Sequence, residues 1–280
     1  MKHFTTNWKT HDGLEIFSQG WQPDTLPAKA IACFVHGIGD HSSRHVHVAE
    51  AFTNAGYVFF TADLRGHGKS QGQRGHFPSM EAIMQDIDIF LHQARTKFPS
   101  LPLILYGHSL GGILVLHYAL ARKPNIEGVI SVSPGLHNAL QKKPLLVMSA
   151  QILGGLFPKF SISNGLPLDG ISRDEKVVLA YKNDPLIHDQ VSMGLGKMII
   201  HASKWALKNA GKFRYPLLIM HGKADYITYA SGSIAFAAPI KENCKLILWE
   251  GAYHELHNEP EQAEILKAMT DWMDQLLLNS

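Results

Sequence analysis

Gly107-His108-Ser109-Leu110-Gly111 has the residue types and spacing of a serine nucleophile, the pattern G-x-S-x-G. It lies between an apolar run, LPLILYG (101–107), and an amphipathic one, LGGILVLHYALARK (110–123). A sharp strand-to-helix turn here brings neighbouring backbones into contact, which is why both flanking positions are glycine. The turn lifts the Ser109 hydroxyl above a sheet edge, at the positive end of the following helix. A free hydroxyl is a poor nucleophile at neutral pH, so it needs a base, and the base needs a carboxylate to orient it. Beyond such a turn the partners follow in the order acid then histidine, each on a loop after a strand. Asp225 meets the first requirement in HGKADYIT, after YPLLIMHG (215–222), and His254 the second in GAYHELHNEP, after CKLILWEG (244–251). His221 precedes the loop that carries the acid and His257 sits one turn too late, so His254 is the base. Asp225 is also placed as a turn residue or N-cap for ITYASGSIAF, a role compatible with catalysis. Acyl transfer further requires amide donors for a tetrahedral oxyanion. The N–H of Leu110 is one, and that of Ile38, in the loop after AIACFVHG (30–37), is the other.

A second stretch, ADLRGHGKS (62–70), ends as a nucleotide-binding P-loop does. In G-x-x-x-x-G-K-[ST] the first glycine opens the turn that wraps the phosphates. That position is Asp63, whose carboxylate would repel them, and QGQRGHFPS follows where a helix should begin. The segment is expected to be a solvent-facing turn, with no nucleotide.

The elements that must position these residues alternate. The runs 30–37, 57–63, 101–107, 126–134, 215–222 and 244–251 predict buried strands. The stretches 47–56, 80–98, 110–123 and 260–277 predict amphipathic helices; in 80–98, Ile83, Ile87, Phe90 and Leu91 share one face. LEIFSQGW (14–21) alternates and is expected at a sheet edge. This rhythm specifies an α/β fold with a mainly parallel central sheet flanked by helices. It breaks between 136 and 205, where Gly/Pro-punctuated apolar segments surround a polar stretch with Asp174 and Glu175 and show no clear buried strand. We expect a core of residues 1–135 and 206–280 and a helical cap, 136–205, inserted over the carboxyl edge of the sheet. The long gap between Ser109 and Asp225 is what such an insertion produces.

Composition narrows the function classes. A net charge of +2 and no Lys/Arg block give no case for nucleic acid. Among the 17 histidines there is no HExxH and no finger spacing, so no metal is expected, and the chemistry above needs no cofactor. The N-terminus has no apolar signal region, and no apolar run reaches the ~18 residues of a spanning helix. Cys33 and Cys244 sit in strand-like runs, as reduced thiols of a cytoplasmic protein would.

The segments FVHGIGDHSSRH, ADLRGHGKSQGQRGH, YGHSLGG, YKNDPLI, HGKADYIT and GAYHELHNEPE together resemble the monoacylglycerol lipase and lysophospholipase-like family of the α/β-hydrolase superfamily. They occur in the family's order and, with the strand pattern, span nearly the whole chain. The resemblance implies an α/β-hydrolase fold and cleavage of monoacylglycerols to fatty acid and glycerol. It implies the triad Ser109, Asp225 and His254 and the oxyanion amides of Ile38 and Leu110. It places Arg44 and His257 near the glycerol end of the substrate, Tyr181 in the cap, and Asp40 where the family usually has Glu. Asp40 and Arg44 also have the i,i+4 spacing of a helix-start ion pair. The apolar stretch PLLVMSAQILGGLFPKF (144–160) would hold an acyl chain, and with Lys142, Lys143 and Lys159 would suit an anionic membrane interface. A cap helix with solvated lysines reads equally well there. The rivals are a lysophospholipase, a broad carboxylesterase and a ligand-binding hydrolase with vestigial turnover. An epoxide hydrolase would need Asp at the position of Ser109.

Overall fold

The computed structural model of the protein describes residues 1–278 apart from Leu26, residues 139–147 and residues 149–151. Its strands are β1 (Lys2–Lys9), β2 (Glu15–Gln22), β3 (Ile31–Val35), β4 (Val58–Ala62), β5 (Leu103–His108) and β6 (Gly128–Val132), then β7 (Ser161–Ser163), β8 (Gln190–Ser192), β9 (Leu217–Gly222) and β10 (Cys244–Trp249). Eight of them form one sheet in the order β1-β2-β4-β3-β5-β6-β9-β10. The strands from β4 to β10 in that order run parallel, and β1 and β2 are antiparallel. The fold is that of an α/β hydrolase, as the alternating pattern requires.

β3, β4, β5, β6 and β9 are buried along their whole length because both faces are covered, whereas β10, expected to be buried, is a half-exposed edge strand with Lys245 in solvent. Phe34, Phe59, Tyr106 and Met220 face α1 (Val46–Asn54) and α7 (Gln262–Leu278), where Phe52, Ile265 and Met269 close the layer. Cys33, Phe60, Leu105 and Ile219 face the other way, onto α2 (Met80–Lys97), α3 (Leu110–Arg122) and α5 (Met193–Asn209). Ser79 caps α2, its hydroxyl accepting from the Ala82 N–H at 3.1 Å.

Three further expectations are corrected. LEIFSQGW lies one strand in from the edge; the edge is β1, whose KHFTTNWK leaves only Trp8 buried, so its alternation carries little apolar signal. The interval 136–205 holds α4 (Glu175–Asn183) and most of α5, but also the antiparallel pair β7–β8, whose strands have three residues each and are half-exposed. α5 runs through position 205 to Asn209, and Ala206 packs into the core. Lys142, Lys143 and residues 144–147 and 149–151 lie outside the described residues, while Lys159 is exposed. Finally, the turn 62–70 is not solvent-facing: everything from Ala62 to Gly68 is buried. Arg65 is responsible, because its guanidinium is held by Asp86 at 2.5 and 2.7 Å and by Asp12 at 2.9 and 3.1 Å.

Candidate active site

β5 ends at His108, and the chain turns at Ser109 with φ 56° and ψ −113°, a left-handed conformation that a non-glycine residue adopts only where its surroundings enforce it. Two glycines permit the turn. A Cβ on Gly107 would lie 2.3 Å from the Gly111 carbonyl oxygen, and one on Gly111 would lie 2.0 Å from that of Val35. The Ser109 N–H donates to the Val132 carbonyl at 3.0 Å, which ties the turn to β6.

Ser109 Oγ lies 2.9 Å from His254 Nε2, and His254 Nδ1 lies 2.8 Å from Asp225 Oδ2. All three residues are buried, Ser109 at 8% exposure. The carboxylate of Asp225 is fixed from several sides. Oδ1 accepts the Ile227 and Thr228 amides at 2.8 and 3.0 Å, so Asp225 is also the turn residue its position foretold. It does not cap a helix: α6 (Ala230–Ala237) starts after Tyr229. Oδ2 accepts the Thr228 hydroxyl at 2.8 Å and lies 3.2 Å from His221 Nε2.

Burial acts on both groups of the pair. It raises the Asp225 carboxyl, but the charges and hydrogen bonds of His254 and His221 outweigh it and hold Asp225 well below the usual carboxylate range. It lowers the His254 imidazole, but Asp225 outweighs it, aided by the charge of Glu255, and the net shift is upward from 6.5. His108, packed against His254, is pushed down to about 3 by burial and by His254, and stays neutral.

The loop after β3 lies against the nucleophile: a Cβ on Gly37 would sit 3.2 Å from Ser109 Cβ. Ile38 and Leu110 both line a cavity of ≈ 310 Å³ that opens on Ser109. It is also lined by Ile162 of β7, Leu166 just beyond that strand, and Met193, Gly196 and Ile199 of α5. No charged side chain lines it among the described residues.

The remaining candidates form a separate cluster beside the triad, not on that cavity wall. Arg44 Nη1 donates to Asp40 Oδ1 at 2.9 Å, so the i,i+4 ion pair exists, but the guanidinium also grips Glu255 in a bidentate pair at 3.0 and 2.8 Å. The Tyr181 ring of α4 stacks on it, 4.6 Å from ring centroid to guanidinium carbon. Asp40 further pairs with His45 Nε2 at 2.9 Å. His257 is fully buried, its ring packed edge-on against His108 and near His45. Glu255 is the residue the sequence reading misses. Burial raises its carboxyl, and Arg44 more than reverses this, leaving it below its ordinary range. Its one signal in the sequence is an acid directly after His254.

A serine hydroxyl within reach of an imidazole that a carboxylate orients, beside a largely apolar cavity, can carry out acyl transfer. A family model described as Hydrolase_4, serine aminopeptidase S33, matches residues 27–261. An uncharacterized abhydrolase domain-containing protein of Dictyostelium discoideum is 35% identical over 283 residues; the match takes in all of this chain and 30% of that protein. The monoacylglycerol lipase of Mycolicibacterium smegmatis is 33% identical, with 93% of each chain covered. Among solved structures, the Paleococcus ferrophilus monoacylglycerol lipase superposes with a TM-score of 0.83 at 32% identity, over the full length of both chains. A soluble variant of the Saccharomyces cerevisiae monoglyceride lipase, bound to a substrate analog, gives 0.88 over 97% of this chain and 94% of its own, a likeness of fold alone at 24% identity. Matched along most of its length by the family model and by relatives above 30% identity, the chain belongs to the Hydrolase_4 family, serine aminopeptidase S33, of the α/β hydrolases.

Proposed function

We propose that the protein is a serine hydrolase that cleaves monoacylglycerols to fatty acid and glycerol through an acyl-enzyme. The observation that carries this reading is the Ser109–His254–Asp225 chain of contacts opening directly onto an apolar cavity of ≈ 310 Å³. His254 takes the Ser109 proton as Oγ attacks the ester carbonyl, and Asp225 stabilises the imidazolium. The Ile38 and Leu110 amides hold the oxyanion. His254 then protonates the departing glycerol oxygen, the C–O bond breaks, and water repeats the sequence on the acyl-enzyme. The acyl chain lies along Ile162, Leu166, Met193 and Ile199. Asp40, Arg44, Tyr181 and His257 set the alcohol side of the site, with residues 136–205 as the cap above it.

The family description names an aminopeptidase, which must hold a protonated amine beside the scissile bond. The described cavity wall offers no carboxylate for one, which favours a neutral apolar acyl group. The named relatives point the same way. One, from Bacillus subtilis, is called a phospholipase, which keeps a lysophospholipid as the second reading.

No helix of the described residues is long and apolar enough to cross a membrane. Exposed Ile152, Leu156, Phe157 and Phe160 would instead rest at a lipid–water interface, a peripheral contact for an enzyme whose substrate partitions there. Free Cys33 and Cys244 fit the cytoplasm.

The test is the ratio of kcat/KM for 1-monooleoylglycerol to that for lysophosphatidylcholine, with p-nitrophenyl butyrate as reference. A strong monoglyceride preference is expected. A preference for the lysophospholipid, or activity on the reference ester alone, would overturn the substrate.

A further inference from the structure

The acidic residues are unevenly distributed. Three helices packed side by side, α3, α5 and α6, contain no Asp or Glu, and none occurs between Asp189 and Asp225. Within that interval stand Lys197, Lys204 and Lys208, all on α5. At 3.6 residues per turn their directions fall within about 40° of one another, so they form one row along the helix. His201 lies close to the same row. Lys204 and Lys208 are exposed and Lys197 half-buried, and none pairs with a carboxylate among the described residues. Trp205, 38% exposed and with its ring packed at a tilt against His117 of α3, borders the row. The buried side of α5, with Leu195, Ala202 and Ala206, packs the other way.

The row is continuous with the apolar surface described above. Residues 152–156 cross the start of α5, where a Cβ on Gly155 would lie 3.5 Å from Lys197 Nζ. The Phe160 and Pro158 carbonyls accept the Met193 and Gly194 amides at 2.8 and 3.0 Å. Ile152, Leu156 and Phe157 thus flank the lysine end of a helix whose other flank carries an exposed tryptophan. Side chains that seek hydrocarbon, an indole that seeks the interface and an unneutralised row of ammonium groups together match one kind of surface.

We propose that α5 is the docking face for a membrane bearing anionic headgroups, with Lys197, Lys204 and Lys208 against the headgroups, Trp205 at the interface, and residues 152–160 in the acyl boundary. The proposal rests on the peripheral membrane contact inferred above and names the lipid class it selects. It also gives the acyl chain a short path, because Met193, Gly196 and Ile199 on the same helix line the cavity. An acidic protein or nucleic acid would satisfy the lysines but leave the apolar side chains without a partner.

Each lysine near an anionic surface is worth about 1 kcal/mol, roughly fivefold in partitioning, so the row amounts to about 100-fold. The test uses the full chain carrying Ser109→Ala, so that no lipid is consumed, and measures co-sedimentation with two vesicle types. One is phosphatidylcholine alone and the other is phosphatidylcholine mixed with phosphatidylserine. We expect tighter binding to the mixed vesicles, weakened by salt, and a loss of about two orders of magnitude in Lys197→Gln/Lys204→Gln/Lys208→Gln. Placed in the Ser109 background, the triple variant should keep its turnover of p-nitrophenyl butyrate, which excludes misfolding. Equal binding to both vesicle types, binding unaffected by the triple variant, or no binding to either would overturn the proposal. Turnover of monooleoylglycerol in neutral detergent micelles tests the substrate reading separately.

Discussion

Replacing Asp225 with Asn tests the assignment of the triad. The two oxygens of Asp225 have different neighbours. Oδ1 faces two backbone N–H groups, of Ile227 and Thr228, while Oδ2 faces His254 Nδ1, His221 Nε2 and the Thr228 hydroxyl. An asparagine must therefore keep its carbonyl oxygen toward the amides, because its NH2 group would collide with two donors there. The NH2 group then points at His254 Nδ1, which must accept, so the imidazole proton moves to Nε2 and faces Ser109. That tautomer cannot take the Ser109 proton. We expect kcat/KM for p-nitrophenyl butyrate to fall about 10³–10⁴-fold, roughly 4–5.5 kcal/mol, with the fold retained. The pH profile carries a second sign. His254 must be neutral to act, and its shift is upward from 6.5, so the acid limb of wild-type kcat/KM lies above pH 6.5. Without the Asp225 charge, burial is opposed only by the weaker pull of Glu255, and the residual limb moves to lower pH. Turnover within tenfold of wild type, in a protein with an unchanged thermal transition, would refute the assignment.

Gly111→Ala drives a Cβ to 2.0 Å from the Val35 carbonyl oxygen and should cost about 3 kcal/mol or abolish folding, read from urea midpoints. Gly196→Ala, on the same kind of helix but with nothing within 4 Å of its Cβ, should instead gain about 0.5–1 kcal/mol. Glu255→Gln leaves the buried Arg44 guanidinium with Asp40 as its only carboxylate among the described residues and should cost about 3 kcal/mol. Because the Glu255 charge also raises His254, the acid limb should move to lower pH in the same variant; stability and profile both unchanged would refute the role.

The meeting of Ser109, His254 and Asp225 was legible because Ser109 and Asp225 follow buried parallel strands, which declare themselves as apolar runs, and His254 follows the edge strand β10, half-exposed but still largely apolar in CKLILW. Ser109, Asp225 and His254 need only the ends of β5, β9 and β10 to be located. The elements the sequence hid have weak burial. β1 buries Trp8 alone, and β7 and β8 have three residues each. Glu255 was hidden for a different reason. Its partner Arg44 is 211 residues away in the chain, and only the fold brings them within hydrogen-bond distance. The cavity wall was illegible likewise, since only the fold brings Ile162, Leu166 and Ile199 to the same cavity as Ser109.

The turn 62–70 shows how a near-motif can be physically informative. In a P-loop the amides converge on a phosphate. Here the Ser42 and Lys69 amides converge on Asp63, donating to its two oxygens at 2.7 Å each, so the chain supplies its own anion where a P-loop has a glycine. The backbone amide of the next residue, Leu64, donates to His36 Nε2 at 2.9 Å, and His36 Nδ1 donates to the Gly37 carbonyl at 2.8 Å. That chain of bonds fixes one side of the loop that carries Ile38. The other side is fixed by residue 188, whose N–H donates to the Gly39 carbonyl at 3.2 Å while its imidazole lies 3.1 Å from the Gly66 carbonyl oxygen of the same turn. A Cβ on Gly39, at φ +73°, would meet the His188 carbonyl oxygen at 2.2 Å, so only glycine lets the two segments close. The Asp63 turn thus braces the loop beside Ser109. It anchors both the strand-end loop that carries Ile38 and the segment that crosses over it.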